Sequence, residues 1–297
     1  MLFDRVVIAG VGLIGGSMAL AMKQHSLARE IVGAGRKVEN LQLAVELGVI
    51  DRYTETIEDE ISRADLVVVA VPVDAMERLL KRIAPRLAQN TIVTDVGSVK
   101  GAIVELAQRH LGSHFQNFVP GHPVAGTENS GVLAALAELF IAHPIILTPT
   151  FQTDSYATQQ ISKLWKGIGG NVLEMNVEEH DRILAATSHL PHMLAYALVN
   201  HLAKQSDSEV FFELAAGGFY DFTRIASSDA VMWRDICLHN RHEIAKDIRS
   251  LSKDLEFIAQ KIDLGDGAAL QQLFERAKNT RSQVGDHRQQ RIKTAKE

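Results

Sequence analysis

Residues 5–16 read RVVIAGVGLIGG, and this stretch decides the fold. Its first part, Arg5–Ala9, is apolar and rich in β-branched residues, which is typical of a buried strand. The next six residues have the spacing G-x-G-x-x-G, and helical spacing follows them. A glycine pattern that follows a strand and opens a helix predicts a loop that binds the phosphates of a dinucleotide. We expect six loop residues to contact that cofactor: Gly10, Val11, Gly12, Leu13, Ile14 and Gly15.

The three glycines of this loop have different predicted tasks. Gly10 allows a tight turn, Gly12 lets the backbone approach the pyrophosphate, and Gly15 lets the helix pack closely on the strand. The free N–H groups at the helix N-terminus, together with its partial positive charge, favour phosphate binding.

The end of the second predicted strand indicates which dinucleotide binds. Strand Glu30–Ala34 is followed by Gly35-Arg36-Lys37, where an NAD-dependent enzyme commonly has an acid that binds the ribose 2′-hydroxyl. Two cations stand there instead, and an arginine can bind a 2′-phosphate through two hydrogen bonds. The pattern favours NADP. NAD is the alternative, with Arg36 stacked on the adenine or exposed to water, and with Glu39 reaching the ribose.

The most apolar predicted strand, Leu66–Val71, ends at Pro72. The carboxyl ends of strands in such sheets form the ligand crevice. We therefore expect Val71 and Pro72 to line the nicotinamide side of the cofactor site.

The two halves of the chain have different patterns. The first half alternates apolar runs with helical patterns, which predicts parallel strands, right-handed crossovers and a Rossmann-type doubly wound α/β sheet. From Val177 onward long helical patterns follow with almost no β-branched runs, which predicts an all-helical second domain. The predicted domains are residues 1–176 and 177–297.

The composition excludes several classes of protein. The 297 residues have a net charge of −5 with both signs mixed, whereas nucleic-acid binding needs a concentrated basic face. We interpret the basic segment Arg281–Lys296 as a solvated helix end. No apolar run reaches the roughly 18 residues of a membrane span. The single cysteine, Cys237, allows neither an internal disulfide nor a C-x-x-C metal pair, so we expect no metal site and a cytoplasmic location.

Two loops of the first half carry candidate catalytic groups. Ser98 follows a predicted strand and precedes a helix. There it could cap that helix only, or cap the helix and also contact the substrate. His122 lies between Gly121 and Pro123, in a segment without strong secondary structure. Its imidazole ordinarily titrates near neutral pH and could accept a proton from a hydroxyl, although a structural loop histidine is the alternative.

The helical half carries a second polar group of residues. Ser188 and His192 are four residues apart and share a helix face beside His189, and Pro191 predicts a kink there. Core histidines or a metal pair are the alternatives. Arg224 lies among apolar residues, where a buried guanidinium needs an anion, either Asp221 or a bound carboxylate.

The segments GVGLIGGS, DVGSVK, GHPVAGTE, TSHLPHM and GFYDFTRIA, in this order, resemble the prephenate/arogenate dehydrogenase family over about Val6 to Arg241. The resemblance implies an N-terminal nucleotide-binding domain and an all-helical C-terminal domain that forms a homodimer. It also implies site roles: His122 as the catalytic histidine on the substrate 4-hydroxyl, Ser98 as its hydrogen-bonding partner, Arg224 as the carboxylate ligand, Ser188, His189 and His192 as the polar pocket wall, and Glu128 as a gating acid.

The implied reaction is the oxidative decarboxylation of prephenate or arogenate with hydride transfer to NAD(P), in tyrosine biosynthesis. Gly35-Arg36 departs from the acid that many NAD-preferring members carry, whereas His192 favours prephenate. Two alternatives remain open. A β-hydroxyacid or imine reductase of the same plan would need a lysine near position 188, and a non-enzymatic NADP sensor would leave the histidines and Arg224 unexplained.

Overall fold

A computed structural model describes residues 1–127 and 129–294 of the chain, with side chains described as far as residue 285. The chain divides into two compact units, Met1–Arg241 and His242–Glu297. The predicted domain boundary at residues 176 and 177 stays a prediction.

The first unit begins with alternating strands and helices. The described strands are β1 (Phe3–Ala9), β2 (Ala28–Ala34), β3 (Arg52–Thr54), β4 (Leu66–Val69), β5 (Ile92–Asp95), β6 (Phe118–Val119), β7 (Gly121–Pro123), β8 (Pro144–Leu147) and β9 (Asn171–Glu174). The helices of this part are α1 (Leu13–Gln24), α2 (Val38–Glu46), α3 (Glu58–Ile61), α4 (Val73–Ile83), α5 (Gly101–Leu111) and α6 (Ser155–Gly167).

The main sheet has the order β3-β2-β1-β4-β5-β6, and every pair in it is parallel. Strand β4 is buried throughout because helices cover both faces of a parallel sheet. The strand order reverses between β1 and β4, so their carboxyl ends border the crevice where such sheets bind ligands. The predicted doubly wound fold is confirmed.

The sheet stops earlier than the sequence predicts. Strands β7, β8 and β9 form a separate sheet in which β7 runs antiparallel to β8, with His122 opposite Ile146. Pro120 separates β6 from β7, and because proline has no N–H to donate it ends the parallel ladder there. The sequence also gave no sign of β3, since Arg52–Thr54 is a short, half-buried edge strand without an apolar run.

The helical half follows β9. Its helices are α7 (Val177–Leu184), α8 (Leu190–Ala203), α9 (Ser208–Glu213), α10 (Gly217–Thr223), α11 (Ala230–His239), α12 (Arg241–Asp263) and α13 (Gly267–Thr294), the last lying wholly in the second unit. Among the described residues, no helix is long and apolar enough to cross a membrane.

The helical pattern that begins at Val177 is interrupted in the structure. A π-helical turn, Ala185–His189, lies between α7 and α8. Pro191 follows in the first turn of α8, and because it has no N–H it cannot donate to the carbonyl oxygen of residue 187 in an α-helical ladder. The extra residue in this turn rotates the side chains around His189 relative to α7, and such turns often occur at functional sites.

Candidate active site

The glycine loop has the geometry that its pattern predicts. Gly10 has φ +102°, and a Cβ there would lie 2.3 Å from the carbonyl oxygen of Ala70 on the neighbouring strand. A Cβ on Gly15 would lie 2.1 Å from the carbonyl oxygen of Gly10. Neither position tolerates a side chain, so the turn and the close approach of α1 both depend on glycine.

The remaining glycine of the loop, Gly12, faces open space. Gly12 is the N-cap of α1 and receives no side-chain capping bond, and no heavy atom lies within 4 Å of a Cβ built there. The first turn of α1 has no acidic residue. Backbone N–H groups at a helix N-terminus that no side chain caps can donate hydrogen bonds to a pyrophosphate. Asn40 fixes the loop from α2 by donating to the carbonyl oxygen of Val11 at 2.9 Å.

The other predicted cofactor residues lie at the same edge of the sheet. Arg36 and Lys37 follow β2, and both are exposed. Val71 and Pro72 follow β4, between that strand and α4. The carboxyl ends of β1, β2 and β4 thus carry the glycine loop, the two cations and the Val71-Pro72 turn side by side.

His122 lies in strand β7, where the sequence predicts an irregular loop. The residue is 7% exposed. Its position is set by Lys100, whose buried ammonium donates to the carboxylate of Asp95 and, at 2.7 Å, to the carbonyl oxygen of Gly121. The amide of Gly121 in turn donates to Asp95 at 3.2 Å. The end of β5 therefore holds the backbone directly before His122.

Lys100 and Asp95 are a fully buried ion pair. Burial lowers the pKa of Lys100, and the carboxylate of Asp95 opposes that change. Since the ammonium also meets a carbonyl oxygen and the carboxylate also meets the amide of Gly97, each charge has hydrogen bonds besides its partner. These additional hydrogen bonds offset the cost of burying the two charges in the protein interior.

A chain of hydrogen bonds leads from His122 to helix α7. Nδ1 of His122 lies 2.8 Å from Nε2 of His180, and Nδ1 of His180 lies 2.8 Å from a carboxylate oxygen of Asp181. The two imidazole rings meet edge to face, with centroids 5.0 Å apart. His180 has no exposed surface.

Asp181 also caps helix α5. Its two carboxylate oxygens accept from the amides of Lys100 and Gly101, each at 2.8 Å. The N-cap of α5 is Lys100, and its own side chain makes no capping bond. Ser98 lies two residues before the cap, so the prediction that Ser98 caps this helix is wrong, because a carboxylate from α7 occupies that role.

The titratable groups of this cluster have altered pKa values. Burial lowers the pKa of His122 well below its ordinary value, and the nearby His180, Lys100 and His189 add to this. Burial also lowers the pKa of His180, although its bond to Asp181 opposes the change. The pKa of Asp181 is lowered by hydrogen bonds from His180, Lys100 and Gly101, which outweigh the opposing effect of burial. At neutral pH both imidazoles are neutral and the carboxylate is charged.

The predicted polar wall lies at the π-helical turn. Nδ1 of His192 donates to the carbonyl oxygen of Ser188 at 2.8 Å, and the His192 ring stacks on Trp233 with centroids 3.8 Å apart. Tyr196, one turn further along α8, donates to the carbonyl oxygen of Ser228 at 2.8 Å. These contacts join α8 to α11 and fix the orientation of the His192 imidazole.

His189 is buried on the inner side of this turn. Its Nδ1 lies 3.4 Å from the amide nitrogen of Asn240, which itself donates to the carbonyl oxygen of Asp181 at 2.8 Å. Its Nε2 and the indole Nε1 of Trp233 are buried without a hydrogen-bond partner within the described residues. Burial lowers the pKa of His189 to about 4. Two unsatisfied polar atoms on rings whose centroids lie 5.9 Å apart favour a site that a polar ligand completes.

Arg224 differs from the sequence prediction. It begins the turn Arg224–Ser227 and is exposed, whereas Thr223 is the buried residue and bonds to the carbonyl oxygen of Phe219. At the end of α10 the helical turn directs the side chain of Thr223, and not that of Arg224, into the protein interior. The positive charge of Arg224 contributes to a lowered pKa of His192, after burial as the larger cause, which places Arg224 near the polar wall. Glu128 lies outside the described residues.

The sequence prediction missed the residues behind His122. Asp95, Lys100, His180 and Asp181 belong to the same cluster. In the sequence, Glu178-Glu179-His180-Asp181 looks like an ordinary solvated helix face. Nothing local shows that His180 is buried, because its partner His122 lies 58 residues away.

Comparisons with known proteins agree with this architecture. Residues 18–174 match the prephenate dehydrogenase nucleotide-binding domain and residues 176–276 match the prephenate dehydrogenase dimerization domain. Prephenate dehydrogenase of Bacillus subtilis (strain 168) is 38% identical over 94% of this chain and 75% of the relative. Cyclohexadienyl dehydrogenase of Zymomonas mobilis is 37% identical over 94% of this chain and 95% of that protein.

A solved structure agrees as well. Prephenate dehydrogenase from A. aeolicus, in complex with hydroxyphenyl propionate and NAD+, has a TM-score of 0.89 and 37% identity, covering 95% of this chain and 98% of that one. With the glycine loop, the buried His122 and the two matched domains in place, this chain belongs to the prephenate dehydrogenase family of nicotinamide-dependent dehydrogenases.

Proposed function

We propose that this dehydrogenase oxidises and decarboxylates prephenate, arogenate or both, with hydride transfer to NAD(P)+, in tyrosine biosynthesis. The observation that carries the proposal is His122, a buried neutral imidazole at the carboxyl edge of the nucleotide-binding sheet. A neutral imidazole can accept the proton of the substrate 4-hydroxyl as the hydride leaves. The relatives named prephenate and cyclohexadienyl dehydrogenase support this assignment.

Each site residue then has a separate role. A bound oxidised nicotinamide supplies the hydride acceptor. His122 takes the hydroxyl proton, Ser98 hydrogen-bonds that hydroxyl, and Arg224 orients the substrate through a carboxylate. The ring carboxylate leaves as CO2, and its bonding electrons complete the aromatic ring. The resulting phenolate oxygen takes back the proton held by His122, and the product is 4-hydroxyphenylpyruvate or tyrosine.

The polar wall and the gating acid complete the proposed pocket. Ser188, His189 and His192 lie together at the π-helical turn, where Trp233 packs on the imidazoles. The unsatisfied Nε2 of His189 would gain a partner from a bound polar substrate. Glu128 keeps the gating role that the family resemblance implies.

We further propose NADP as the preferred cofactor. Two exposed cations, Arg36 and Lys37, follow β2 at the edge that carries the glycine loop, and no acid lies at the end of that strand. Glu39 lies in the first turn of α2. A guanidinium at this place matches a 2′-phosphate better than a free ribose hydroxyl.

A homodimer formed through the helical half is also proposed, in the cytoplasm. The matched dimerization domain supports it, as do large apolar side chains that are exposed on helices α9 to α11 or directly after α9. They are Val210, Phe211, Leu214, Tyr220, Phe222, Val231, Met232 and Leu238. The single thiol, Cys237, fits a reducing compartment.

A two-by-two assay tests substrate and cofactor together. Prephenate and arogenate are each measured with NAD and with NADP, and kcat/KM is compared. We expect turnover of prephenate with NADP as the better cofactor. Absence of turnover with either acid would refute the reaction, whereas a higher kcat/KM with NAD would refute only the cofactor preference.

A pair of arginine variants then tests Arg36. Arg36→Ala should lower kcat/KM with NADP by about 10- to 100-fold and change that with NAD little, since about 1–3 kcal/mol of charge-assisted hydrogen bonding is lost. Arg29→Ala is the matched control, because Arg29 is an exposed arginine at the other end of the same strand. Equal losses with both cofactors would contradict the proposed phosphate contact.

A further inference from the structure

We propose that His180 and Asp181 are positioning residues that hold His122 in a single tautomer, with hydrogen on Nδ1 and the lone pair on Nε2. The kinetic part of this proposal rests on the proposed function, whereas the tautomer itself can be measured without turnover.

The argument begins at Asp181. Its carboxylate oxygens accept hydrogen bonds from the amides of Lys100 and Gly101, which can only donate. An ionised carboxylate has no hydrogen to offer, so the 2.8 Å contact with His180 requires a hydrogen on Nδ1 of that imidazole.

The next step fixes His180. A second hydrogen on its Nε2 would make it a cation without solvent exposure, and the charged Lys100 nearby opposes this. Nε2 of His180 therefore carries a lone pair. The 2.8 Å contact between this atom and Nδ1 of His122 then requires that His122 donates.

The last step concerns the other nitrogen of His122. The charged or titratable groups that face this imidazole are His180 of α7, Lys100 before α5 and His189 of the π-helical turn. Together with burial they keep the imidazole neutral, so a hydrogen on Nδ1 leaves Nε2 as a free proton acceptor. In the part of the chain that the structure describes, Nε2 of His122 has no hydrogen bond.

The arrangement also has a consequence for catalysis. When Nε2 of His122 accepts the substrate proton, the positive charge is stabilised through His180 by the carboxylate of Asp181. An aspartate has this orienting task in the Ser-His-Asp constellation, where its loss leaves the wrong tautomer. Here a second imidazole is inserted between the carboxylate and the base.

The direct test is nitrogen NMR of the protein labelled with ¹⁵N-histidine at pH 7.5. Protonated and unprotonated ring nitrogens have well separated shifts, and the His122→Asn spectrum identifies the His122 signals by difference. We expect a protonated Nδ1 and an unprotonated Nε2 in the wild type. A protonated Nε2 on His122 would overturn the proposal, regardless of which substrate the enzyme oxidises.

A matched pair at position 180 provides the kinetic test. His180→Gln offers an amide oxygen that can accept from Nδ1 of His122, whereas His180→Phe keeps a flat ring of similar size but has no acceptor. We expect kcat to fall by about 10- to 10³-fold in the Phe variant, with KM and cofactor affinity little changed, and at least tenfold higher kcat in the Gln variant. A packing role alone predicts the opposite order, and that order would refute the proposal.

The pH profile separates positioning from structure. Asp181→Asn removes the negative charge that stabilises the protonated His122–His180 pair, so the acid limb of kcat/KM should move to lower pH while kcat falls. A loss of kcat with an unmoved acid limb would indicate only the loss of the α5 cap, and would count against the relay. If the wild type turns over neither acid, the proposed function fails and the NMR result still decides the tautomer.

Discussion

At the residue scale, Lys100 links His122, the proposed base, to the nucleotide-binding sheet. Its buried ammonium joins Asp95 at the end of β5 to the carbonyl oxygen of Gly121, directly before His122. Removing one member of a buried ion pair leaves the other charge without compensation. The position of His122 thus depends on a residue that does not touch the substrate in the proposed mechanism.

Replacing Lys100 by methionine should therefore cost stability. Lys100→Met leaves the Asp95 carboxylate buried and should lower the free energy of unfolding by about 3–5 kcal/mol in urea titrations. Lys81→Met is the control, since Lys81 is an exposed lysine paired with Glu77 and should cost about 0.5 kcal/mol or less. An equal loss of unfolding free energy in the two variants would show that the buried ion pair stabilises the fold no more than the exposed one.

The proposed base is tested by a substitution that keeps its size. His122→Asn should lower kcat by about 10²–10⁴-fold, because no proton acceptor remains, while NADP affinity measured by fluorescence titration is retained. His143→Asn, at an exposed histidine of the same domain, should leave both unchanged. An unchanged kcat in His122→Asn would remove this residue from the mechanism.

At the scale of elements, the strand–loop–helix unit from β1 to α1 separates two uses of glycine. Gly15 is needed for packing, since its Cβ would meet the carbonyl oxygen of Gly10, whereas Gly12 has open space where a phosphate is expected. The same G-x-G-x-x-G pattern thus contains one structural and one ligand-facing position.

Two alanine variants distinguish these uses. Gly15→Ala should lower the free energy of unfolding by about 1–3 kcal/mol and weaken cofactor binding, because α1 must move. Gly12→Ala should leave the melting temperature of the free protein nearly unchanged and weaken NADP binding, because its methyl group takes the place of the phosphate. Calorimetry and a binding titration measure both, and full cofactor affinity in Gly12→Ala would place the pyrophosphate elsewhere.

At the scale of the whole molecule, three buried histidines make folding sensitive to acid. Burial lowers the pKa values of His122, His180 and His189, the last to about 4. Between pH 6.5 and 4 the unfolded chain binds protons that the folded chain does not, so stability falls as the pH falls. For His189 alone, a shift from 6.5 to about 4 corresponds to roughly 3 kcal/mol.

Urea unfolding at pH 7.5, 6.5, 5.5 and 5.0, at one protein concentration, measures this dependence. The decline should begin near pH 6.5 and be measurable by pH 5, since the unfolded imidazoles gain protons over this range. His189→Asn should show a shallower decline than the wild type, whereas His143→Asn should retain the wild-type slope. A stability that stays constant from pH 7.5 to 5 would contradict neutral burial of these imidazoles.

The elements with local signals were predictable. The glycine spacing, the apolar run of β4 and the change of pattern at Val177 gave the doubly wound sheet and the helical half. Edge strand β3, the antiparallel β7 and the π-helical turn were not predicted, because each depends on neighbours distant in sequence. Ser98 as a helix cap and Arg224 as a buried residue were wrong for the same reason.

The sequence by itself determined the dinucleotide loop and the layer architecture, because these are local patterns of backbone freedom and hydrophobic period, and it singled out His122 between Gly121 and Pro123. Only the tertiary structure decided what stands behind His122. His180, 58 residues later in the chain, and Asp181 reach it from α7. Lys100, at the start of α5, joins the backbone before His122 to Asp95 at the end of β5. Hydrogen-bond partners and burial set protonation and tautomer, and both depend on distances between segments that no local pattern contains.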